Sequence, residues 1–133
     1  MCVLGGTDAT GKGEVVTGSA GKQAGGRIVG FKLRRWLGGQ TAAEAEQHKN
    51  GIRELCPLAA DLGGARCFAS CSNDSTVRVW SLAGQGLEQL RCIDTGADCF
   101  LYSLCSLPRP EGEAGGPLLA VACDDNCVRV FVS

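Results

Sequence analysis

The chain has 133 residues, 44% of them hydrophobic and 20% charged, with a formal net charge of −1. That is enough chain for a core, but it gives no basic field for nucleic acid or an anionic membrane surface, because phosphate binding rests on clustered Lys and Arg. The sequence has no uninterrupted apolar run of the length a membrane span needs and no recognisable signal peptide at its start. Nine cysteines without a secretory signal then point to a reducing compartment, the cytoplasm or also the nucleus, rather than to a disulfide framework.

The first element is a short apolar run at Met1-Cys2-Val3-Leu4, read as part of a strand. Gly6-Thr7-Asp8-Ala9-Thr10-Gly11-Lys12-Gly13 then comes within one residue of a phosphate-binding loop. Gly13 stands where Ser or Thr would hold magnesium, and the β-rich Glu14-Val15-Val16-Thr17 follows where a helix N-terminus should face the phosphates. The segment is therefore read as a loop between strands, with a nucleotide-binding enzyme using Gly6 to Lys12 as the remote alternative. Thr17-Gly18-Ser19-Ala20-Gly21 is a fainter echo of a nucleophile elbow, and any triad would have to recruit His48, the single histidine. A strand ending at Phe31 is followed by the basic cluster Lys32-Leu33-Arg34-Arg35-Trp36, read as a solvated loop. Gly38 to Glu46 takes the place of an outer strand, yet Thr41-x-x-Glu44 resembles a capping box. A ragged strand or a short helical turn is expected there.

The next elements repeat one pattern. Leu55-Cys56-Pro57-Leu58 precedes the run from Phe68 to Trp80, and Leu104-Cys105-Ser106-Leu107 precedes the run from Leu119 to Phe131. The offset is 49 residues at the cysteines and 51 at the aromatics, and a worn copy precedes both, from Met1 to Phe31. Self-similarity at this period is the mark of a repeat architecture. Each run alternates apolar with small or polar residues and is broken by Gly, Asn, Asp or Pro, as half-buried antiparallel strands are. Ser72-Asn73-Asp74-Ser75 makes a hairpin turn, and Leu87 to Ile93 supplies a fourth strand. Arg109 to Pro117 is a surface loop within the last unit. Cys2, Cys56 and Cys105 hold equivalent strand positions, as small buried hydrophobes would. The Cys67/Cys71 and Cys123/Cys127 pairs are set aside as metal sites, because residues four apart on one strand lie about 13 Å apart. No metal or cofactor is expected.

Ala69-Ser70-Cys71-Ser72-Asn73-Asp74-Ser75-Thr76-Val77-Arg78-Val79-Trp80, with His48 upstream, resembles a WD-repeat blade. The resemblance implies an all-β propeller fragment of about three four-stranded antiparallel blades, near 1–47, 48–96 and 97–133, the last incomplete. It also implies a buried relay of His48, Ser70, Asp74 and Trp80. The flanking units depart from it. Phe31 and Phe131 replace Trp, Gly21 replaces the first Asp, and Val121 and Ala97 replace the third unit's Ser and His while Asp125 is kept. An unclosed set of blades should expose sheet edges and apolar faces, so the isolated chain is expected to self-associate.

A narrower resemblance rests on Ser70 to Trp80, Gly86-Leu87-Glu88 and Leu101-Tyr102-Ser103-Leu104-Cys105-Ser106-Leu107-Pro108, which is similar to central blades of the phospholipase A-2-activating protein family. It implies a non-enzymatic scaffold in ubiquitin-dependent protein degradation, with ubiquitin or ubiquitylated proteins as partners. The family's segregase ATPase is reached only through domains outside these residues. The alternative is a WD-repeat subunit of another complex. Propeller geometry as the resemblance implies it brings Lys49, Asn50, Arg53, Asn73, Asp98, Phe100, Tyr102 and Asp124 to one binding face, with Phe100 and Tyr102 as anchors, the alternative for Phe100 being to pack between blades.

Overall fold

The computed structural model of the chain describes residues 2–3, 13–18, 27–34, 38–46, 48–58, 66–83, 86–96, 98–110, 112 and 115–132. Among them every regular element is a strand. Three antiparallel sheets follow one another along the chain, and within each the strands pair in sequence order.

The first sheet holds β1 (Cys2–Val3), β2 (Gly13–Gly18), β3 (Arg27–Arg34) and β4 (Gly38–Glu46). The second holds β5 (Ile52–Pro57), β6 (Arg66–Ser72), β7 (Thr76–Ala83) and β8 (Gly86–Asp94). The third is a three-stranded sheet of β9 (Leu101–Leu107), β10 (Leu118–Cys123) and β11 (Val128–Val132). β5 neighbours β1 and β2 on one side and β9 on the other, so the first strands of successive sheets lie side by side, as propeller blades place them.

Of two expectations for the first blade, one is decided between its alternatives, in favour of the strand, and one is corrected. Gly38–Glu46 is a nine-residue strand paired with β3 from end to end, with one register shift between Gly30 and Phe31, and it contains no helical turn. Ladder pairing along the whole of β3 overrides the local capping signal of Thr41 and Glu44. β3 likewise runs past Phe31 to Arg34, so Lys32, Leu33 and Arg34 belong to a strand rather than a loop. Residues 4–12, which carry the Gly6 to Lys12 loop, and residues 19–21 lie outside the described residues.

Among the described side chains, the core lies at the seam between the second and third blades. Ala69, Cys71, Val77 and Val79 of β6 and β7 pack against Leu101, Leu104, Leu119 and Val121 of β9 and β10. Phe68, fully buried, stacks on the equally buried Trp80 with ring centroids 6.3 Å apart. The cysteine positions of the first strands are a further correction. Leu55 and Leu104 point into the core, so the residue after each points the other way. Cys56 is half-buried because it packs at the seam, whereas Cys105, on the other face of β9, is exposed.

The hairpin turns of the two blades share one backbone. Ser75 has φ 65° and Asn126, at the same repeat position, has φ 64°. Each is the third residue of its connection, 73–75 in the second blade and 124–127 in the third, and is left-handed, a form that Asn tolerates and Ser adopts only with support. For Ser75 the support is visible: its hydroxyl donates to the Cys99 carbonyl at 2.7 Å and accepts the Cys99 N–H at 3.2 Å.

Candidate functional site

Four side chains expected to form a relay do so. The Trp80 indole N–H on β7 donates to Ser70 Oγ on β6 at 2.8 Å, and Ser70 Oγ lies 2.7 Å from His48 Nε2. His48 Nδ1 then faces the Asp74 carboxylate, 3.1 Å from Oδ2 and 3.3 Å from Oδ1. The donors fix the direction. Ser70 Oγ already accepts from the indole, so its hydroxyl proton is free to donate to Nε2, and Nδ1 then carries the hydrogen that reaches Asp74. His48 and Ser70 are buried, and the Asp74 side chain is 6% exposed.

Asp74 is the collecting point. Besides His48 it accepts the Lys49 N–H at 2.8 Å, the Thr76 N–H at 3.1 Å and the Thr76 hydroxyl at 2.7 Å. Burial of the carboxyl acts to raise its pKa, but the hydrogen bonds from His48, Thr76 and the Lys49 backbone outweigh it and hold the group well below the usual carboxylate range. Thr76 is a fifth member that the repeat pattern did not single out, and its Oγ also lies 3.2 Å from His48 Nδ1. The signal was present in the sequence: a Thr two residues after an Asp is well placed to close an Asx turn.

The third blade keeps the Asp and redirects it. Asp125 still accepts the N–H two residues on, from Cys127 at 3.1 Å, but its carboxylate is gripped by Arg129 through two bonds of 3.1 and 2.5 Å. This fork lowers the pKa of Asp125, and hydrogen bonds with Asp125 and then Cys123 raise that of Arg129. Cys123 and Cys127 do not lie along one strand, as the distance argument assumed. They flank this turn, the Cys123 N–H donating to the Cys127 carbonyl at 3.0 Å. Cys123 is buried and Cys127 exposed.

The residues expected on a binding face sit at one end of the two blades, on loops bonded to one another. Ser72 Oγ donates to the Asn50 carbonyl at 3.0 Å, the Asn73 N–H to the Gly51 carbonyl at 3.1 Å, and the Asp124 N–H to the Phe100 carbonyl at 3.0 Å. Lys49, Asn50, Arg53, Asp98, Phe100, Tyr102 and Asp124 are exposed and Asn73 is half-buried. Asp98 stands slightly apart, lining a recess with Asp74, Ser75, Asp94 and Gly96. Arg53 and Tyr102 occupy the same repeat position on neighbouring first strands, and the guanidinium lies 5.6 Å from the ring centroid of Tyr102. Tyr102 is 50% exposed and Phe100 47%. Glu54, beside Arg53, is a residue sequence reasoning missed. It reaches across the seam to accept the Leu104 N–H at 2.7 Å and the Ser103 hydroxyl at 2.5 Å. Nothing in the repeat signals it, because its counterpart in the third blade is Ser103.

No family model matches the chain. The ubiquitin homeostasis protein lub1 of Schizosaccharomyces pombe is 31% identical over 84 residues, which is 63% of this chain and 10% of that protein. The chain thus matches only about a tenth of the length of this curated relative. Among solved structures, the crystal structure of Saccharomyces cerevisiae Sqt1 superposes with a TM-score of 0.68 at 19% identity, covering 89% of this chain and 32% of that one. The likeness to Sqt1 is one of fold. Together with the three sheets and the relay, it establishes a WD-repeat-like arrangement of propeller blades.

Proposed function

We propose that this chain is a non-catalytic protein-interaction module of the phospholipase A-2-activating protein kind, acting in ubiquitin homeostasis and binding ubiquitin through the face around Arg53, Phe100 and Tyr102. The observation that carries the proposal is the exposed aromatic pair beside a guanidinium, on loops and strands held rigidly by the blades. Tyr, Trp and Arg dominate the energetics of protein interfaces, and an exposed cluster of them is what a partner would bury. The likeness to lub1, a ubiquitin homeostasis protein, suggests the partner class.

The geometry of the relay supports the non-catalytic part of this reading. Asp74, His48 and Ser70 line up as a catalytic triad would, but Ser70 is fully buried and its oxygen is occupied by the Trp80 N–H. Placement in the cytoplasm or nucleus fits the cysteines, among which no disulfide is formed in the described residues.

The test is a titration of the chain with ubiquitin. The parent should bind, and Arg53→Ala with Tyr102→Ala should weaken binding at least tenfold while leaving the thermal midpoint nearly unchanged, since both side chains are exposed. Unchanged affinity in the folded double variant removes the proposed surface. Absence of binding by the parent favours the alternative, a WD-repeat subunit with another partner.

A further inference from the structure

We propose that Cys99, Cys123 and Asp125 form a binding site for a thiophilic divalent cation of the zinc class, at the seam where the third blade begins. The Sγ atoms of Cys99 and Cys123 and a carboxylate oxygen of Asp125 all lie within 4.8 Å of one another. A tetrahedral zinc site with bonds of about 2.3 Å to sulfur brings its sulfurs to about 3.8 Å, so the ligands must close by about 1 Å at most. Two thiolates and a carboxylate are a donor set that zinc accepts, and the exposed side of Asp125 leaves the fourth position to water.

The backbones that carry these ligands are pinned. Cys99 is held through both its N–H and its carbonyl by Ser75, and Cys123 by its N–H bond to the Cys127 carbonyl, while the Asp125 carboxylate itself is aimed by the Cys127 N–H on Oδ1. The ligands come from two separate segments, so the site forms only when the blade is folded.

Charge completes the case. On binding, the two thiol protons leave to solvent and two sulfur–metal bonds form. The metal, two thiolates and one carboxylate then carry one net negative charge, which the Arg129 guanidinium balances. Arg129 need not leave: Asp125 Oδ2 can stay with it at 2.5 Å while Oδ1 exchanges its two 3.1 Å bonds, from Arg129 and the Cys127 N–H, for the metal. It would then be an outer-shell partner that orients a ligand, and losing such a partner typically costs 10–100-fold in affinity.

The test is a titration of the whole chain, reduced with a phosphine, using cobalt(II) as the spectroscopic probe and zinc as the competitor. The expected result is sulfur-to-cobalt charge-transfer and tetrahedral bands that saturate at one equivalent and are displaced by zinc. Native mass spectrometry of the zinc form should show one metal added and two protons lost. Cys99→Ser and Cys123→Ser should abolish the bands, Asp125→Asn should weaken binding at least tenfold, and Arg129→Gln should weaken it about 10–100-fold. Cys105→Ser, outside the cluster, should change nothing. Absence of the bands in the parent overturns the proposal, as does their survival at full affinity in Asp125→Asn, or their loss in Cys105→Ser. Should a cysteine variant fail to fold, the exposed Asp125→Asn decides.

Discussion

Glu54 accepts the backbone N–H of Leu104 at 2.7 Å, so a carboxylate on the first strand of one blade completes the hydrogen bonding of the first strand of the next. Leu104 is buried, and its amide has lost contact with bulk water. The blade-to-blade contact is therefore apolar through most of its depth, with polar stitches here and where Ser75 holds Cys99. Glu54→Ala should strand the amide and destabilise the chain by about 1–3 kcal/mol, read from the urea midpoint. Amide hydrogen exchange should speed up at Leu104 more than at Val121. Equal protection in parent and variant would show that the stitch carries nothing.

The relay predicts a graded set of losses. Ser70→Ala leaves the Trp80 N–H and His48 Nε2 without partners inside the blade, at a cost of about 1–3 kcal/mol. Asp74→Ala removes the acceptor of four donors and should cost at least as much. The double variant should fall well short of the sum, since both cuts disable one network. Chemical unfolding followed by Trp fluorescence measures all three.

Acid should unfold the second blade in a defined window. The Asp74 carboxyl is held below its ordinary value in the folded chain and returns to about 3.9 on unfolding. Its contribution is therefore complete above about pH 4 and is lost as the pH falls from there towards the folded-state pKa. Asp125, also lowered, acts in the same direction but more weakly, because its pair with Arg129 is open to solvent. Stability measured between pH 7 and pH 3 should decline less in Asp74→Asn than in the parent. Matching slopes would contradict the assignment.

The outer face of the third blade should govern association. Val128, Val130 and Val132 on β11 are 69%, 55% and 47% exposed. Val77 and Val79, the repeat equivalents of the first two, are buried against the next blade. The isolated chain should self-associate in analytical ultracentrifugation, and Val128→Lys with Val130→Lys should shift it towards monomer. A parent that sediments as a monomer at all concentrations would show that this face needs no cover.

The sequence carried the blade pattern because the chain repeats it: strand, turn and aromatic recur at fixed offsets, and His48, Ser70, Asp74 and Trp80 carry the side-chain types a buried relay needs. Where a residue acts across blades the repeat is silent. Glu54 and Cys99 find their partners in segments about 50 and 24 residues away along the chain, a distance at which local spacing holds no information. Cys105 misled because burial depends on the neighbouring blade, not on the strand position it shares with Cys56. At Gly38–Glu46 the sequence left a strand and a helical turn open, and the ladder of pairs with β3 decides for the strand.

His48 is the single histidine of the chain, and it sits in the middle of the relay. The chain therefore contains its own reporter. One imidazole gives one pair of ring-nitrogen resonances, free of overlap, and their positions distinguish hydrogen on Nδ1 from hydrogen on Nε2. Any event that loosens the second blade, whether a partner pressing on the loop at Lys49 or a change at the neighbouring seam, can be followed at that one ring in nitrogen-15-enriched chain, with no foreign probe attached.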